Sequence, residues 1–385
     1  MPQVYFDNAA TTAIHPQVIA RMVQVMQEVS GNPSSTHAEG RKAKSLIENA
    51  RKTIAKELNV TAGEIIFTSG GTEADNLIIN SCVRDLGVRT IITSPIEHHA
   101  VVHSVEQMQA QFDIEIKLVK IKECGSIDID SLKDLLAAAK KPLVSLMHIN
   151  NEVGNMLDIA EVSRICKEHD ALFHSDMVQS VGHFKVDLQE TPVDFIAASA
   201  HKFHGPKGVG FAFIRKNSKL KPLIFGGGQE RGARAGTESV HNIVGLEEAF
   251  KIAYQNLETD RKYILEIKEY FKEQLLAQVP GVKFNGNCSD STLSTYTLLN
   301  VCLPVPPEKN LLLLFQLDLK GIACSKGSAC QSGSEQGSHV LNAFLNDEDK
   351  QKPSVRFSFS HNNTKEEVDY VVETIKQFLE EPVFN

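Results

Sequence analysis

A chain of 385 residues, 42% hydrophobic and 23% charged, has the make-up of a folded globular protein with room for two domains, or for one large domain with a smaller one attached. Its formal net charge of -8, with no block of like charge, argues against nucleic acid as the main partner, and no apolar run is long enough to cross a bilayer. The seven cysteines, odd in number and irregularly spaced, describe neither a disulfide framework nor a zinc site and are expected to be reduced thiols.

The N-terminal run MPQVYFDNAATT has no basic stretch followed by an apolar core, so a cytoplasmic location is expected. In that setting the sequons at Asn59, Asn287 and Asn362 carry no glycosylation meaning. Residues 42–59 follow a helical period, with Leu46, Ile47, Ile54 and Leu58 on one stripe, and a short apolar strand follows at Ile65–Phe67. The next run, TSGGTEADN, predicts a turn from that strand into a helix opening at Thr72, whose free backbone N–H groups converge on one spot. Apolar runs at RTIITSP, IEIKLVKI, PLVSLMHIN, ALFHSD and DFIAASA alternate with helical stretches such as 158–169, the pattern of an α/β domain on a largely parallel sheet. VGFAFI follows DFIAASA too closely for a crossover, so one strand must return antiparallel and the sheet is mixed. Near residue 256 a long charged helix begins, with Ile264, Ile267, Phe271 and Leu275 as its buried stripe. Strands are expected near YTLLNVCL and PSVRFSFS, and the capping box Thr364 to Glu367 opens a closing helix. The expected division is a large α/β domain over 16–255 and a smaller α+β domain from 1–15 plus 256–385.

Three places can carry chemistry. Lys202 sits where an apolar strand meets the Gly/Pro turn HKFHGPKG, a setting in which desolvation would expose the neutral amine that a Schiff base needs; the plain alternative is an exposed loop lysine. Asp176 ends the strand ALFHSD, on the side where parallel sheets hold ligands, and could pair with a protonated ring nitrogen; otherwise it caps a turn. Gly71 and Thr72 open a helix whose N-terminus suits a phosphate, and His98 offers a flat ring for stacking. A Schiff-base lysine, such an aspartate and a phosphate site are what pyridoxal phosphate chemistry requires. His201 and His204 invite a metal reading, but a third ligand at suitable spacing is not apparent.

The ordered set YFDNAATT, GNPSSTH, IIFTSGGTEADN, EHHAV, HINNEVG, HSDMVQSVG, SAHKFHGPKGVG, GGGQERGARAGT, GSACQS and VRFSFS resembles the cysteine desulfurases, in the class whose catalytic cysteine lies on a long loop. The resemblance runs nearly end to end. It implies a fold-type I pyridoxal phosphate enzyme that takes sulfur from L-cysteine, leaves L-alanine, and carries the sulfur as a persulfide on Cys330. It assigns the cofactor's Schiff base to Lys202, its ring nitrogen to Asp176 and ring stacking to His98. Gln179 and Asn151 would lie near the phenolic oxygen and the substrate. Phosphate would rest on Gly71, Thr72, Ser199 and His201, with Thr237 reaching across a homodimer interface. Arg356 would take the substrate carboxylate, a task suited to a planar two-pronged donor. The loop, about 323–338, is poor in apolar anchors, and Lys326, Gln331 and the Gly-rich GSEQGS depart from the familiar pattern. Cys324 is expected to be structural.

The implied acceptors are an iron–sulfur scaffold or another sulfur-acceptor protein, including a carrier for tRNA thiolation, without direct nucleic-acid or membrane contact. No resident metal is implied, although Cys330 could ligate an iron–sulfur unit transiently. Rival readings are a selenocysteine lyase or another enzyme on the class-V aminotransferase scaffold. A non-catalytic iron–sulfur scaffold using Cys324, Cys330 and His339 is short of a ligand.

Overall fold

The computed structural model describes residues 2–216, 218, 220–288, 290–306, 309–327 and 337–381. Its strands, in chain order, are β1 (Val4–Tyr5), β2 (Ile65–Thr68), β3 (Thr90–Thr93), β4 (Glu115–Leu118), β5 (Pro142–Ser145), β6 (Leu172–Asp176), β7 (Phe195–Ser199), β8 (Gly210–Ile214), β9 (Lys283–Phe284), β10 (Leu298–Cys302), β11 (Ile322–Ala323) and β12 (Ser354–Ser358).

A seven-stranded sheet has the order β2-β8-β7-β6-β5-β3-β4. The pairs among β3 to β7 are parallel, and β8 runs antiparallel to both β7 and β2. The apolar runs read from the sequence are these strands, and the short return after DFIAASA is β8. β2, β3, β5 and β7 are buried along their whole length, as expected for strands covered on both faces. One face packs on the helices Ala38–Glu57 and Val240–Gln255, through Ile47, Ile54, Phe211, Leu246 and Phe250; the other packs on Gly71–Leu86 and His99–Gln111, through Ile78, Cys82, Val101 and Met108. Because β2, β3, β5, β6 and β7 point the same way, their carboxyl ends gather at one edge of the sheet. Five segments that the sequence scatters over 130 residues are thereby made neighbours.

A separate core forms around the antiparallel sheet β12-β10-β9 and the parallel pair β1-β11. The helix Leu257–Gln278 contributes the expected stripe Ile264, Ile267, Phe271 and Leu275, all buried, and the helix Lys365–Glu380 opens with the Thr364–Glu367 capping box. Val4 and Phe6 from the N-terminus belong to this core, with Phe6 making edge contacts to Phe271, Phe357 and Phe359.

Candidate active site

The carboxyl ends of the parallel strands open into a cavity of about 230 Å³, lined by Gly71, Thr72, His98, Asn151, Asp176, Gln179, Ser199, His201, Lys202 and Arg356, with Ala9 and Asp75 among the remaining walls. Ten of the positions singled out in the sequence therefore meet at one place. Thr237 is absent from this lining and is exposed on its own chain; Cys330 lies outside the described residues.

β7 ends at Ser199, and a single turn, Ala200–Lys202, carries Lys202 to the cavity rim. Its Nζ donates to the carbonyls of Ala9 at 2.6 Å and Ala10 at 2.9 Å, and its own carbonyl is held by His183 Nε2 at 2.9 Å. Asp176 closes β6, with Oδ1 accepting the Val178 N–H at 2.9 Å. Burial pushes its carboxyl up to about 6, while that N–H and the Lys202 charge pull it down. His98 precedes the helix His99–Gln111, and its Nδ1 accepts the Ala100 N–H at 3.1 Å. Burial, reinforced by the Lys202 and His339 charges, lowers its pKa to about 4, so at neutral pH the ring is neutral and its one hydrogen sits on Nε2.

The turn expected to take the phosphate is tight. Gly70 has φ +154°, and a Cβ on Gly71 would lie 2.6 Å from Val178 Cγ2, so a side chain at either position would strain the backbone or fill the cradle. The helix opens one residue earlier than its sequence suggests, at Gly71, and its first bond runs from Ala74 N–H to the Gly70 carbonyl. The N–H groups of Gly71, Thr72 and Glu73 thus have no acceptor within the helix. Ser199 flanks this turn, its Oγ 3.5 Å from where a Gly70 Cβ would stand, and His201 Nδ1 meets Thr11 Oγ1 at 3.2 Å. Burial and the charges of Lys202 and Lys207 lower His201 to about 4.

Arg356, on β12, is almost wholly buried. Its Nη1 donates to the Asn151 carbonyl and its Nη2 to Asp7 Oδ1, both at 2.8 Å, and its Nε is buried without an acceptor among the described residues. Gln179 donates through Nε2 to the Ala9 carbonyl at 2.9 Å. Cys324, next after β11, is half-buried, and burial pushes its thiol up to about 12, the protonation of a packed rather than an attacking cysteine. Among the described residues no group of three or more His, Cys, Asp or Glu could hold a metal.

Sequence reading missed an acidic layer behind this wall. Asp75, one helical turn beyond Gly71, is fully buried with Oδ1 3.3 Å from His174 Nε2, and His174 Nδ1 meets Ser145 Oγ at 2.9 Å. Burial drives Asp75 well above its ordinary value, and Asp176 and Glu97 reinforce the shift. Glu97 accepts from Ser94 Oγ and the Met147 N–H, yet burial takes it to about 8. Asp75, Glu97 and Asp7 each lie inside a motif already quoted, but were given no role. What the sequence lacked was any sign that β6 and the helix Gly71–Leu86 bring Asp75 against His174.

The geometry fits the expected cofactor: a cavity with an amine at one side, an acceptor carboxyl at the end of β6, a flat neutral ring at another wall, and an N–H cradle for a dianion.

The comparisons agree with this geometry. The family model of the class-V aminotransferases matches residues 4–371. The chain is 41% identical over 373 residues to the putative cysteine desulfurase IscS 1 of Bacillus subtilis, covering 96% of each chain. It is 39% identical over 380 residues to the cysteine desulfurase IscS of Dictyoglomus turgidum, covering 98% of this chain and 95% of that one. A solved NifS-like protein superposes with a TM-score of 0.89 at 35% identity, covering 98% of this chain and 99% of the other.

Proposed function

The chain belongs to the class-V aminotransferase family and is a pyridoxal phosphate-dependent cysteine desulfurase of fold type I, and on that premise we propose how its own residues divide the work. The observation that carries the reading is the convergence of Lys202, Asp176, His98, the Gly71–Thr72 turn and Arg356 on one cavity. When bound, the cofactor supplies an electron sink for cleavage at the substrate's Cα and Cβ.

Lys202, whose Nζ now donates to the Ala9 and Ala10 carbonyls, would hold the cofactor through that amine. The same amine would move protons at the substrate's Cα. Asp176 would keep the ring nitrogen protonated; the Val178 N–H and the Lys202 charge already favour its ionised form against burial. His98, neutral with its hydrogen on Nε2, would stack on the ring and can donate one hydrogen bond through that N–H. Gly71, Thr72, Ser199 and His201 take the phosphate, completed by Thr237 from a second copy in a homodimer. Gln179 and Asn151 would face the phenolic oxygen and the substrate, and Arg356, whose side chain lines the cavity, would take the α-carboxylate. Cys330 would attack the substrate sulfur as a thiolate: its S–S bond forms as the Cβ–S bond breaks, the electron pair of the broken bond stays with Cβ, which takes up a proton and becomes the methyl group of alanine, and the persulfide is passed to an iron–sulfur scaffold or other sulfur-acceptor protein. We further propose a large unit over 16–255, a small one from 1–15 plus 256–385, and a cytoplasmic site of action. No helix among the described residues is long and apolar enough to cross a membrane.

The test compares wild type, Lys202→Ala and Asp176→Asn, each reconstituted with the cofactor. Lys202→Ala is expected to lose the visible band of the lysine-bound cofactor and all alanine production from L-cysteine. Retention of both would refute the assignment.

A further inference from the structure

Arg356 is not an unopposed cation. Asp7 Oδ1 accepts from Arg356 Nη2 at 2.8 Å and from Ser325 Oγ at 2.8 Å, so one carboxylate oxygen holds two partners. The backbones are joined as well: Ser325 N–H donates to the Arg356 carbonyl at 3.2 Å, and Arg356 N–H donates to the Ser325 carbonyl at 2.7 Å. Asp7 is itself fixed, since its backbone bridges Ser358 on β12 in parallel. The guanidinium is nearly sealed from water, with 1% of its side chain exposed, whereas Asp7 keeps 18%. A buried charge pair is little screened, so a second carboxylate arriving in the cavity beside the Arg356 guanidinium would feel Asp7 strongly.

We propose that Asp7 is a positioning residue that fixes the guanidinium for the substrate and holds its affinity for carboxylates below that of an unopposed arginine, with Ser325 coupled to the same contact. The inference rests on the reading of Arg356 as the carboxylate site. Cysteine and alanine carry the same α-carboxylate, so a tighter grip would hold product as firmly as substrate and would add nothing to turnover. The resident carboxylate weakens both alike and favours release. Ser325 shares the acceptor oxygen, so the contact between Arg356 and Asp7 also sets how firmly the stretch after β11 is held at its start.

The experiment uses the cofactor-loaded protein and two probes: L-alanine, followed by the change in the visible band, and acetate, as a competitor of L-cysteine. Asp7→Asn keeps an acceptor for both donors and removes only the charge. It is expected to bind L-alanine and acetate about tenfold more tightly, with a lower KM for L-cysteine and no gain in kcat. Asp7→Ser, neutral and smaller, is expected to shift affinity in the same direction and guards against a fold defect in the first variant. Ser325→Ala is expected to change L-alanine affinity in wild type but to be without effect on the Asp7→Asn background. Unchanged or weaker binding in both Asp7 variants would overturn the inference. If Arg356→Gln binds both probes as well as wild type does, the carboxylate assignment itself falls; if Arg356→Gln is impaired while neither Asp7 variant tightens, only the role of Asp7 falls.

Discussion

Burial works against the charge of Asp176 and for the neutrality of His98, and both effects can be titrated. The Asp176 carboxyl, pushed up to about 6, is ionised above that pH and neutral below it. A neutral carboxyl cannot hold a protonated ring nitrogen, so affinity of the cofactor-free protein for pyridoxal phosphate is expected to fall as pH drops through about 6. Asp176→Asn should lower that affinity at pH 7.5 by about tenfold or more and flatten the pH dependence, read by titrating the visible band. Lys202 and Asp176 were legible in the sequence because each follows a short apolar run, and the end of a buried strand is a marked position. The Asp7–Arg356 contact was not, because 349 positions separate its partners and neither lies in a periodic pattern that points to the other.

At the scale of the element, the antiparallel β8 is where the Gly70–Thr72 turn is locked to β7, the strand that leads into Lys202. Gly210 lies opposite both Thr68 and Ser199, and a Cβ there would come within 2.3 Å of the Ala198 carbonyl oxygen and 2.8 Å of Gly70 Cα. Both obstacles are backbone and cannot rotate away. Gly210→Ala is expected to cost about 3 kcal/mol or more and to weaken cofactor binding together with thermal stability. Gly208→Ala, at φ +79° in open space, should cost only about 1 kcal/mol and leave cofactor binding intact. Equal losses in the two variants, by thermal denaturation and cofactor titration, would contradict this account of the turn. The strands, the short return to β8 and the Thr364–Glu367 cap could be read from local pattern and turn chemistry. The pairing of β1 with β11 could not, since two-residue strands carry no period and their register is set by the cores they join.

The whole molecule carries opposing buried titrations. Burial lowers His148 to about 4 and His174 to about 3, so below pH 6.5 the unfolded chain takes up protons that the folded one refuses; this part of the stability is lost as pH falls from 6.5 toward 4. Glu97 acts in the other direction: its folded value of about 8 lies above the unfolded 4.5, so its contribution is lost as pH rises from 4.5 through 8. Glu97→Gln removes that dependence, and its Tm relative to wild type is expected to rise by about 2 °C or more between pH 5 and pH 8; a difference independent of pH would refute the burial of a neutral Glu97. These terms frame a site proposed to move one sulfur atom from substrate to Cys330. The most direct test is a single turnover: the cofactor-loaded protein is mixed with L-cysteine without reductant, alanine is counted, and the added sulfur is located by peptide mass. One alanine per site with one extra sulfur on Cys330, none on Cys324, and neither product from Cys330→Ala is the result expected. Alanine released from Cys330→Ala at the wild-type rate, or the sulfur found on another cysteine, would contradict it.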